Sequence, residues 1–429
     1  LEVERAFDAA SGEYTLRLTQ RAPANVPDAR PLPMPMRIAL YDADGRALPP
    51  ADAHDAEPIP GGLLLRGVRH VLVWRGLPAE PLPVLNAGFA APVRVRLERA
   101  PEERARVVAV ERDGFARWDA LQALAIDAML APPAGGPPAA AVEARLPSAY
   151  AALSAALGAL LADASAHPAF IAECLSLPDF DTLADAVPTV DPPTLVAARE
   201  RLVLRLAPAH RAALEARFHG LRAVAAGGLE DAAMAARALR HAALGWLSRL
   251  DGGEAARALW ADARSMTERV AALRALLHAR AEGHARALSA FAADFEGDPL
   301  VTDKWIALVA TRPHPDAIED VQALLAGPHW LPTNPNRVRA LLGSLARGNP
   351  AAFHRADGAG YRLVAAQVAA LDALNPPVAA RLLGAFEALP RLSPAAREAA
   401  LAALEPLRDG DRSRDVAEVL ARLSAPARR

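Results

Sequence analysis

The sequence predicts a mostly α-helical protein with a small all-β domain. We expect an N-terminal antiparallel β-sandwich over residues 1–102 and a large, irregular α-helical domain over residues 103–429. Apolar residues alternate with polar ones in short runs before about residue 102 and recur with the helical period after it. The chain is 52% hydrophobic but only 5% aromatic. Alanine and leucine supply most of the apolar residues, which is typical of helices that pack through small side chains.

The predicted sandwich consists of short strands separated by glycine and proline. Tyr14, Leu16 and Leu18 alternate with polar residues and predict a half-buried strand. A second strand is expected over Met36–Tyr41, and Asp42–Gly45 follows it as a tight turn. Further strands are predicted at Leu63–Arg66, His70–Trp74 and Val93–Leu97. Turns or loops are predicted at Ala22–Pro35, Pro83–Gly88 and Pro132–Pro138.

The helical region repeats one start signal, a capping side chain followed directly by proline. Asp, Asn and Ser accept hydrogen bonds from the free N–H groups at a helix start, and proline fits the first helical position. The pair occurs at Asp191–Pro192, Asp298–Pro299, Asn334–Pro335, Asn349–Pro350, Asn375–Pro376 and Ser393–Pro394. The spacing predicts helices of roughly 10–18 residues with short connections. Because no strict repeat is visible, we expect an irregular, superhelical, two-layer array and not a consensus solenoid.

One of these helix starts contains a residue that breaks a local rule. Apolar residues from Val338 to Leu345 form a helical stripe after Asn334–Pro335, which places Arg337 near the third residue of that helix. The N-terminus of a helix carries partial positive charge, so a cation there costs up to ~1 kcal/mol. Two interpretations stay open: a surface or salt-bridged arginine compensated by a carboxylate, or an arginine retained for a function.

Composition excludes several classes of protein and partner. The net charge of −2, without a basic tail, argues against a general binder of nucleic acid or anionic membranes. All but one of the 48 lysines and arginines are arginine, so most arginines are discounted as functional signals, and Lys304 is interpreted as a solvated side chain. The single cysteine, Cys174, permits no intramolecular disulfide, which fits a reducing compartment and predicts a cytoplasmic protein with a buried, inert thiol.

The sequence also contains no targeting or membrane segment that we recognise. The uncharged segment Leu146–Ala162 is shorter than the ~20 apolar residues of a membrane span. The N-terminus carries charges in place of an apolar signal segment and has no initiator methionine, so we expect a fragment of a longer protein.

The residues predict no catalytic, cofactor or metal site. None of the eleven histidines begins an H-E-x-x-H zinc helix. His278 and His284 are six residues apart, a spacing that is unsuitable for one metal on a helix. Neither a G-x-S-x-G nucleophile turn nor a G-x-x-x-x-G-K-[ST] phosphate loop is present.

Five phrases of the sequence carry more information than its periodicity. They are YTLRLTQRAP (Tyr14–Pro23), PMRIALYDADGRAL (Pro35–Leu48), RDGFARWDALQAL (Arg112–Leu124), LVTDKWIALVAT (Leu300–Thr311) and TNPNRVRALLGSLARGNPAAFHRADGAGY (Thr333–Tyr361). Together they resemble the C-terminal half of bacterial aminopeptidase N, in the gluzincin zinc aminopeptidase family. The resemblance runs from near residue 10 to near residue 423, and the last phrase is the strongest match.

The resemblance implies the sandwich and helical domains of that family without its catalytic half. In the family, two histidines and a glutamate hold zinc, a further glutamate activates water, and a G-A-M-E-N loop binds the free amine of the substrate. None of these motifs occurs here, so no catalytic or metal residue is carried over and zinc belongs to the full-length family. The family's helical domain caps the active site and limits peptide access. The resemblance makes Arg337 a candidate for lining that access route, where it would meet a carboxylate of the peptide.

Two functions are therefore open. The first is the non-catalytic C-terminal region of a zinc-dependent aminopeptidase N, a metalloprotease that removes N-terminal residues. Its partners would be the catalytic domain of the same polypeptide and peptide substrates, with neither nucleic acid nor membrane, and this chain alone would be inactive. The alternative is a stand-alone helical scaffold that binds peptides or proteins.

Overall fold

A computed structural model describes residues 1–22, 30–130 and 146–424 of the chain. It divides into two compact units, Leu1–Leu177 and a second unit that begins at Pro178. The predicted loop Pro132–Pro138 lies outside the described residues, and so does half of the predicted loop Ala22–Pro35. The predicted domain boundary after residue 102 stays a prediction.

The strands of the described residues all lie in the first unit and pair antiparallel. They are β1 (Glu2–Asp8), β2 (Glu13–Thr19), β3 (Met34–Met36), β4 (Ile38–Tyr41), β5 (Ala53–His54), β6 (Glu57–Ile59), β7 (Gly62–Leu65), β8 (Arg69–Trp74) and β9 (Leu82–Leu85). Three sheets result, in the orders β1-β2-β8-β5, β3-β7-β6 and β4-β9. Their inward side chains share one apolar core. The predicted small antiparallel β domain is confirmed.

Strand β2 has the alternation that the sequence predicts. Tyr14, Leu16 and Leu18 are all buried, and β8 lies beside them with Leu72 and Trp74 buried as well. The Tyr14 and Trp74 rings have centroids 5.9 Å apart. Apolar side chains on one face of this strand pair therefore provide the centre of the β core.

Two predictions about the next strands are corrected by the structure. The expected strand Met36–Tyr41 is interrupted at Arg37, and its two parts, β3 and β4, belong to different sheets. The expected turn Pro83–Gly88 begins inside strand β9, which pairs with β4 alone. Pro83 is tolerated there because a proline can occupy an edge strand on the side that forms no ladder hydrogen bond.

The expected strand Val93–Leu97 is also wrong, although its side-chain alternation is real. Its apolar residues pack against the β core. The backbone, however, forms only an isolated parallel bridge between Arg96 and Glu2, with hydrogen bonds from Val3 N–H to the Arg96 carbonyl (2.9 Å) and from Arg96 N–H to the Leu1 carbonyl (2.8 Å).

Four helices complete the described part of the first unit. They are α1 (Pro101–Val110), α2 (Gly114–Leu130), α3 (Leu146–Ala162) and α4 (Pro168–Leu175). The second unit is helical throughout its described residues. Its helices are α5 (Phe180–Asp185), α6 (Pro192–Gly220), α7 (Arg222–Ala225), α8 (Asp231–Leu247), α9 (Glu254–Asp262), α10 (Met266–His278), α11 (His284–Asp294), α12 (Pro299–Ala310), α13 (Ala317–Leu325), α14 (Pro335–Val338), a π-helical segment (Arg339–Gly343), α15 (Ser344–Gly348), α16 (Pro350–Phe353), α17 (Ala359–Asp372), α18 (Pro376–Leu383), α19 (Pro394–Arg408) and α20 (Arg414–Ser424).

The predicted helix starts are confirmed at every cap–proline pair. In each pair the first residue is the N-cap and the proline is the first helical residue. Asp298, for example, accepts hydrogen bonds from the N–H groups of Leu300 (2.9 Å) and Val301 (3.1 Å). Asp191 and Ser393 occupy the N-cap position without a side-chain cap bond.

Packing in the second unit is mainly between neighbours in the chain. Most helices contact helices one or two places away, as in an array of repeats. One set of contacts joins the beginning and end of the unit. Arg391 donates to the Ala184 carbonyl at 2.7 Å and to Asp185 at 3.0 Å, and Val190 N–H donates to the Arg391 carbonyl at 2.7 Å.

Candidate functional site

Arg337 occupies the third position of α14, as the sequence predicts. The Asn334 side chain accepts hydrogen bonds from the N–H groups of Asn336 (2.9 Å) and Arg337 (3.4 Å). The Arg337 residue is 4% exposed. Its Nε donates to Oδ1 of Asp303 at 2.6 Å, and its Nη1 donates to the carbonyl oxygen of His329 at 2.6 Å.

This ion pair explains how a buried cation is tolerated near a helix N-terminus. The carboxylate comes from helix α12, 34 residues earlier in the chain, so tertiary packing supplies what the local sequence lacks. The observed pair fits the first of the two interpretations of Arg337. The prediction that Arg337 lines a substrate-access route stays a prediction.

Helix α12 carries the other residues of the matched D-K-W phrase. Lys304 is exposed, as expected for a solvated side chain. Trp305 packs edge to face with His329, with ring centroids 5.4 Å apart. Val301 and Leu308 on the same helix are buried. Trp305 thus contacts His329 directly, and Asp303 is linked to it through Arg337. The D-K-W phrase therefore has a packing role.

The strongest matched phrase ends in a buried aromatic cluster. Phe353 has its ring centroid 5.2 Å from that of Tyr361 and 5.3 Å from that of Phe386. His354 Nδ1 and the Tyr361 hydroxyl form a hydrogen bond of 2.7 Å. Burial lowers the pKa of His354 to about 4. Gly360 packs its Cα directly against the backbone of this cluster, where a Cβ would overlap the Phe353 carbonyl.

Residues of α14, the π-helical segment, α15 and α18 line a cavity of about 520 Å³, which we name the arginine cavity. Three arginines line it: Arg339 from the π-helical segment, Arg347 from α15 and Arg381 from α18. Apolar side chains, among them Val338 and Leu382, supply much of the remaining wall. Neither Asp nor Glu is among the lining residues that the structure describes.

A second cavity, of about 550 Å³, contains charges of both signs and is named here the polar cavity. Its walls include Asp179, Asp181, Arg199, Glu200, Arg249 and His278. Arg249 Nε donates to both Glu200 carboxylate oxygens at 3.0 Å. The two cavities are neighbours because Thr311, Arg347 and Gly348 border both.

Burial perturbs the titratable groups of the polar cavity. It lowers the pKa of His278 to about 3, with nearby arginines acting in the same direction, and it also lowers the pKa of His314. Burial raises the pKa of Asp181, and the neighbouring Asp179 adds to that increase. Burial also lowers the pKa of Arg199. Such shifts are common at binding sites, although structural groups also show them.

The described residues contain no cluster of three or more His, Cys, Asp or Glu side chains suited to a metal ion. His278 lies near His314, whose charge lowers the pKa of His278. In the sequence, His278 had only His284 as a candidate partner. Cys174 is buried, as predicted, and burial raises the pKa of its thiol to about 12. The thiol is therefore protonated and poorly reactive in the folded chain.

The arginines of the arginine cavity were missed in the sequence, because arginine is so abundant in this chain. One signal was available: Arg339 and Arg347 both lie in the strongest matched phrase, Thr333–Tyr361. Arg381 lies outside every matched phrase and carries no sequence signal that we recognise. Among the described residues, no helix has enough length and hydropathy to span a bilayer.

Comparison with family models gives a classification for both regions. The model described as "Domain of unknown function (DUF3458_C) ARM repeats" matches residues 101–425. The model described as "Domain of unknown function (DUF3458) Ig-like fold" matches residues 1–98. Because the first model covers most of the chain, the protein belongs to the DUF3458_C family. Both descriptions agree with the predicted sandwich and helical array.

Individual relatives make this classification more specific. Aminopeptidase N of Caulobacter vibrioides is 37% identical over 350 residues, which are 81% of this chain and 38% of that protein. Aminopeptidase N of Escherichia coli is 30% identical over 417 residues, which are 95% of this chain and 46% of that protein. The chain thus spans less than half the length of these relatives. The matches confirm the resemblance to the C-terminal part of aminopeptidase N.

A solved structure supports the fold independently. The crystal structure of Legionella pneumophila aminopeptidase A in complex with aspartic acid superimposes with a TM-score of 0.80. The match covers 98% of this chain and 48% of the other, at 23% sequence identity. This likeness establishes the shared fold and carries no information about a ligand of the present chain.

Proposed function

We propose that this chain is the non-catalytic C-terminal region of a zinc-dependent aminopeptidase N, in which the helical domain caps the active site and controls the entry of peptides. The observation that carries the proposal is the extent of the match to the Escherichia coli enzyme, which takes in 95% of this chain but only 46% of that protein. The catalytic domain of the same polypeptide would hold the zinc, and the protein would act on peptides in the cytoplasm.

The polar cavity supports a role in peptide access. A peptide carries an amine, a carboxylate and charged side chains, and a wall with both cations and carboxylates can meet groups of either sign. Asp179 and Asp181 offer carboxylates, while Arg199 and Arg249 offer guanidinium groups, within one space of about 550 Å³. No comparison supports the alternative of a stand-alone scaffold.

Arg337 as a lining residue is part of the same proposal. The match of the N-P-N-R phrase supports this role. Arg337 is only 4% exposed and is paired with Asp303, and both observations count against direct contact with a substrate. The division into a sandwich over residues 1–102 and a helical domain over residues 103–429 is likewise proposed.

The experiment that tests this function uses the purified chain with Escherichia coli aminopeptidase N as the positive control. We expect no stoichiometric zinc by elemental analysis and no hydrolysis of alanine p-nitroanilide, while the control shows both. Zinc-dependent turnover by this chain would overturn the proposal. The coding sequence upstream of Leu1 gives a second readout: an in-frame H-E-x-x-H motif is expected, and a start codon without that motif would favour the stand-alone scaffold.

A further inference from the structure

The arginine cavity brings together three arginines, none of which forms an ion pair with the described residues. Arg339 Nη2 donates to the neutral side chain of Asn336 at 3.1 Å. Within the described residues, neither Arg347 nor Arg381 has a carboxylate within ion-pair distance. Other arginines of the same unit do, such as Arg312 with Asp320 at 2.5 Å. Three cationic side chains around one space favour an anion there.

Two carboxylates, Asp181 and Glu387, lie near Arg347 but outside the wall of the arginine cavity. Asp181 belongs to the polar cavity, and the charge of Arg347 partly offsets the rise in its pKa without an ion pair. Glu387 lies near Gly384 but contacts Arg422 at 3.8 Å. Neither carboxylate is part of the cavity wall. Among its described residues the wall of the cavity thus carries cationic side chains and no carboxylate.

Backbone features of the wall also fit a binding site. Arg339 begins a π-helical segment, and single π turns within helices occur frequently at functional sites. Gly384 provides room for the guanidinium of Arg347, since a Cβ at that position would lie 2.7 Å from Nη2. The volume of about 520 Å³ is in the range of small-molecule pockets.

We propose that the arginine cavity binds a small amphipathic oxyanion, a carboxylate or phosphate attached to an apolar body. Guanidinium groups bind either head group through paired, charge-assisted hydrogen bonds. Val338, Val378 and Leu382 give the apolar body a surface to pack against. The proposal rests on the cavity alone and does not depend on the aminopeptidase assignment.

The experiment is calorimetric titration of the purified chain at low ionic strength with matched probes. Hexanoate and hexyl phosphate carry the two head groups on one apolar body, hexanamide removes the charge, and inorganic phosphate removes the body. We expect saturable binding of one molecule of hexanoate or hexyl phosphate per chain, and binding of hexanamide and inorganic phosphate at least about tenfold weaker. The tighter of the first two probes identifies the preferred head group.

Variants locate the binding to the cavity. Arg347→Gln and Arg381→Gln should each weaken binding by about tenfold or more, because each removes one charge-assisted contact. Arg286→Gln is the matched control, since it removes an exposed arginine of the same unit outside the cavity. Gly384→Ala should weaken binding without altering the charge, because its Cβ displaces Arg347.

Three results would overturn the proposal. The first is the absence of saturable heat for both hexyl probes up to about 10 mM, a concentration beyond the affinity expected for such ligands. The second is unchanged affinity in both Arg347→Gln and Arg381→Gln. The third is an equal loss in Arg286→Gln, which would indicate non-specific attraction by net charge. Thermal unfolding of each variant verifies that it is folded, and the exposed positions of these arginines make this expected.

Discussion

The Asp303–Arg337 ion pair offers the most direct test of how the helical unit is held together. The perturbation is Asp303→Asn, which keeps the size of the side chain and removes its charge. Arg337 would then stay buried, with a neutral amide in place of the carboxylate that now lies 2.6 Å from its Nε. Its polar contacts would then be the amide oxygen of the introduced asparagine and the His329 carbonyl, both neutral, so the charge of Arg337 and the partial positive charge of the α14 N-terminus would no longer be opposed by a carboxylate.

The size of the effect follows from the exposure of the two side chains. Removal of one partner from a fully buried pair costs about 3–5 kcal/mol, whereas exposed pairs contribute about 0–1 kcal/mol. The Arg337 side chain is 4% exposed and that of Asp303 is 20% exposed, so the pair lies nearer the buried limit. We therefore expect a loss of about 2–3 kcal/mol in the free energy of unfolding, after a discount for solvent near Asp303.

The assay is thermal unfolding followed by circular dichroism, with urea titration as a second measure. A loss of that size lowers the melting temperature by about 5–10 °C for a unit of this length. Asp262→Asn is the matched control, because Asp262 pairs with Arg222 at 2.8 Å with side chains that are 62% and 67% exposed. That variant should change stability by less than about 0.5 kcal/mol. Equal losses in the two variants would refute the reasoning.

Two further predictions concern packing and protonation in the same unit. Gly360→Ala should destabilise the chain by about 2–3 kcal/mol, because the new Cβ would overlap the Phe353 backbone. Gly245→Ala is the control: no atom lies within 4 Å of its Cβ, so it should stabilise the chain by up to ~1 kcal/mol. Urea titration measures both changes in the free energy of unfolding, and the same sign in both variants would contradict this prediction. Burial holds the pKa of His354 at about 4, below the ordinary 6.5, so its contribution to stability is complete above pH 6.5 and is lost as the pH falls toward 4. His354→Phe should reduce the slope of the stability curve in this range, to which His278 and His314 also contribute, and an unchanged slope would count against the assignment.

Helix starts were predictable because their determinants are local. At Asn349–Pro350 the Asn349 Oδ1 accepts from the N–H of Ala352 at 3.1 Å, three residues away, and the proline needs no hydrogen-bond partner for its nitrogen. The same side chain also donates to the Ala310 carbonyl at 3.0 Å, which joins α16 to the end of α12. That second bond spans 39 residues and could not be predicted from the local sequence.

The β region shows why alternation alone is not sufficient to identify a strand. Val93–Leu97 alternates and packs its apolar side chains against the β core, but a ladder requires a neighbouring backbone in register over several residues. This segment forms a single bridge, between Arg96 and Glu2. Pro83, by contrast, argues against a strand, yet it pairs with Leu40 because β9 is an edge strand. Whether a strand is at an edge depends on the order of the strands, and that order is a tertiary property.

The two arginine sites show which part of a functional site a sequence can reveal. Arg337 was identifiable because a cation near a helix N-terminus violates a local electrostatic rule. The violation predicted either a compensating carboxylate or a function, and it could not show that Asp303 provides the carboxylate. Arg339, Arg347 and Arg381 violate no such rule, since each is acceptable on an exposed helix surface. Their significance arises only when folding brings all three to one cavity whose wall has no carboxylate among its described residues. The ion-paired Arg337 therefore contributes to stability, whereas the three arginines of the arginine cavity mark the place where we propose that a ligand binds.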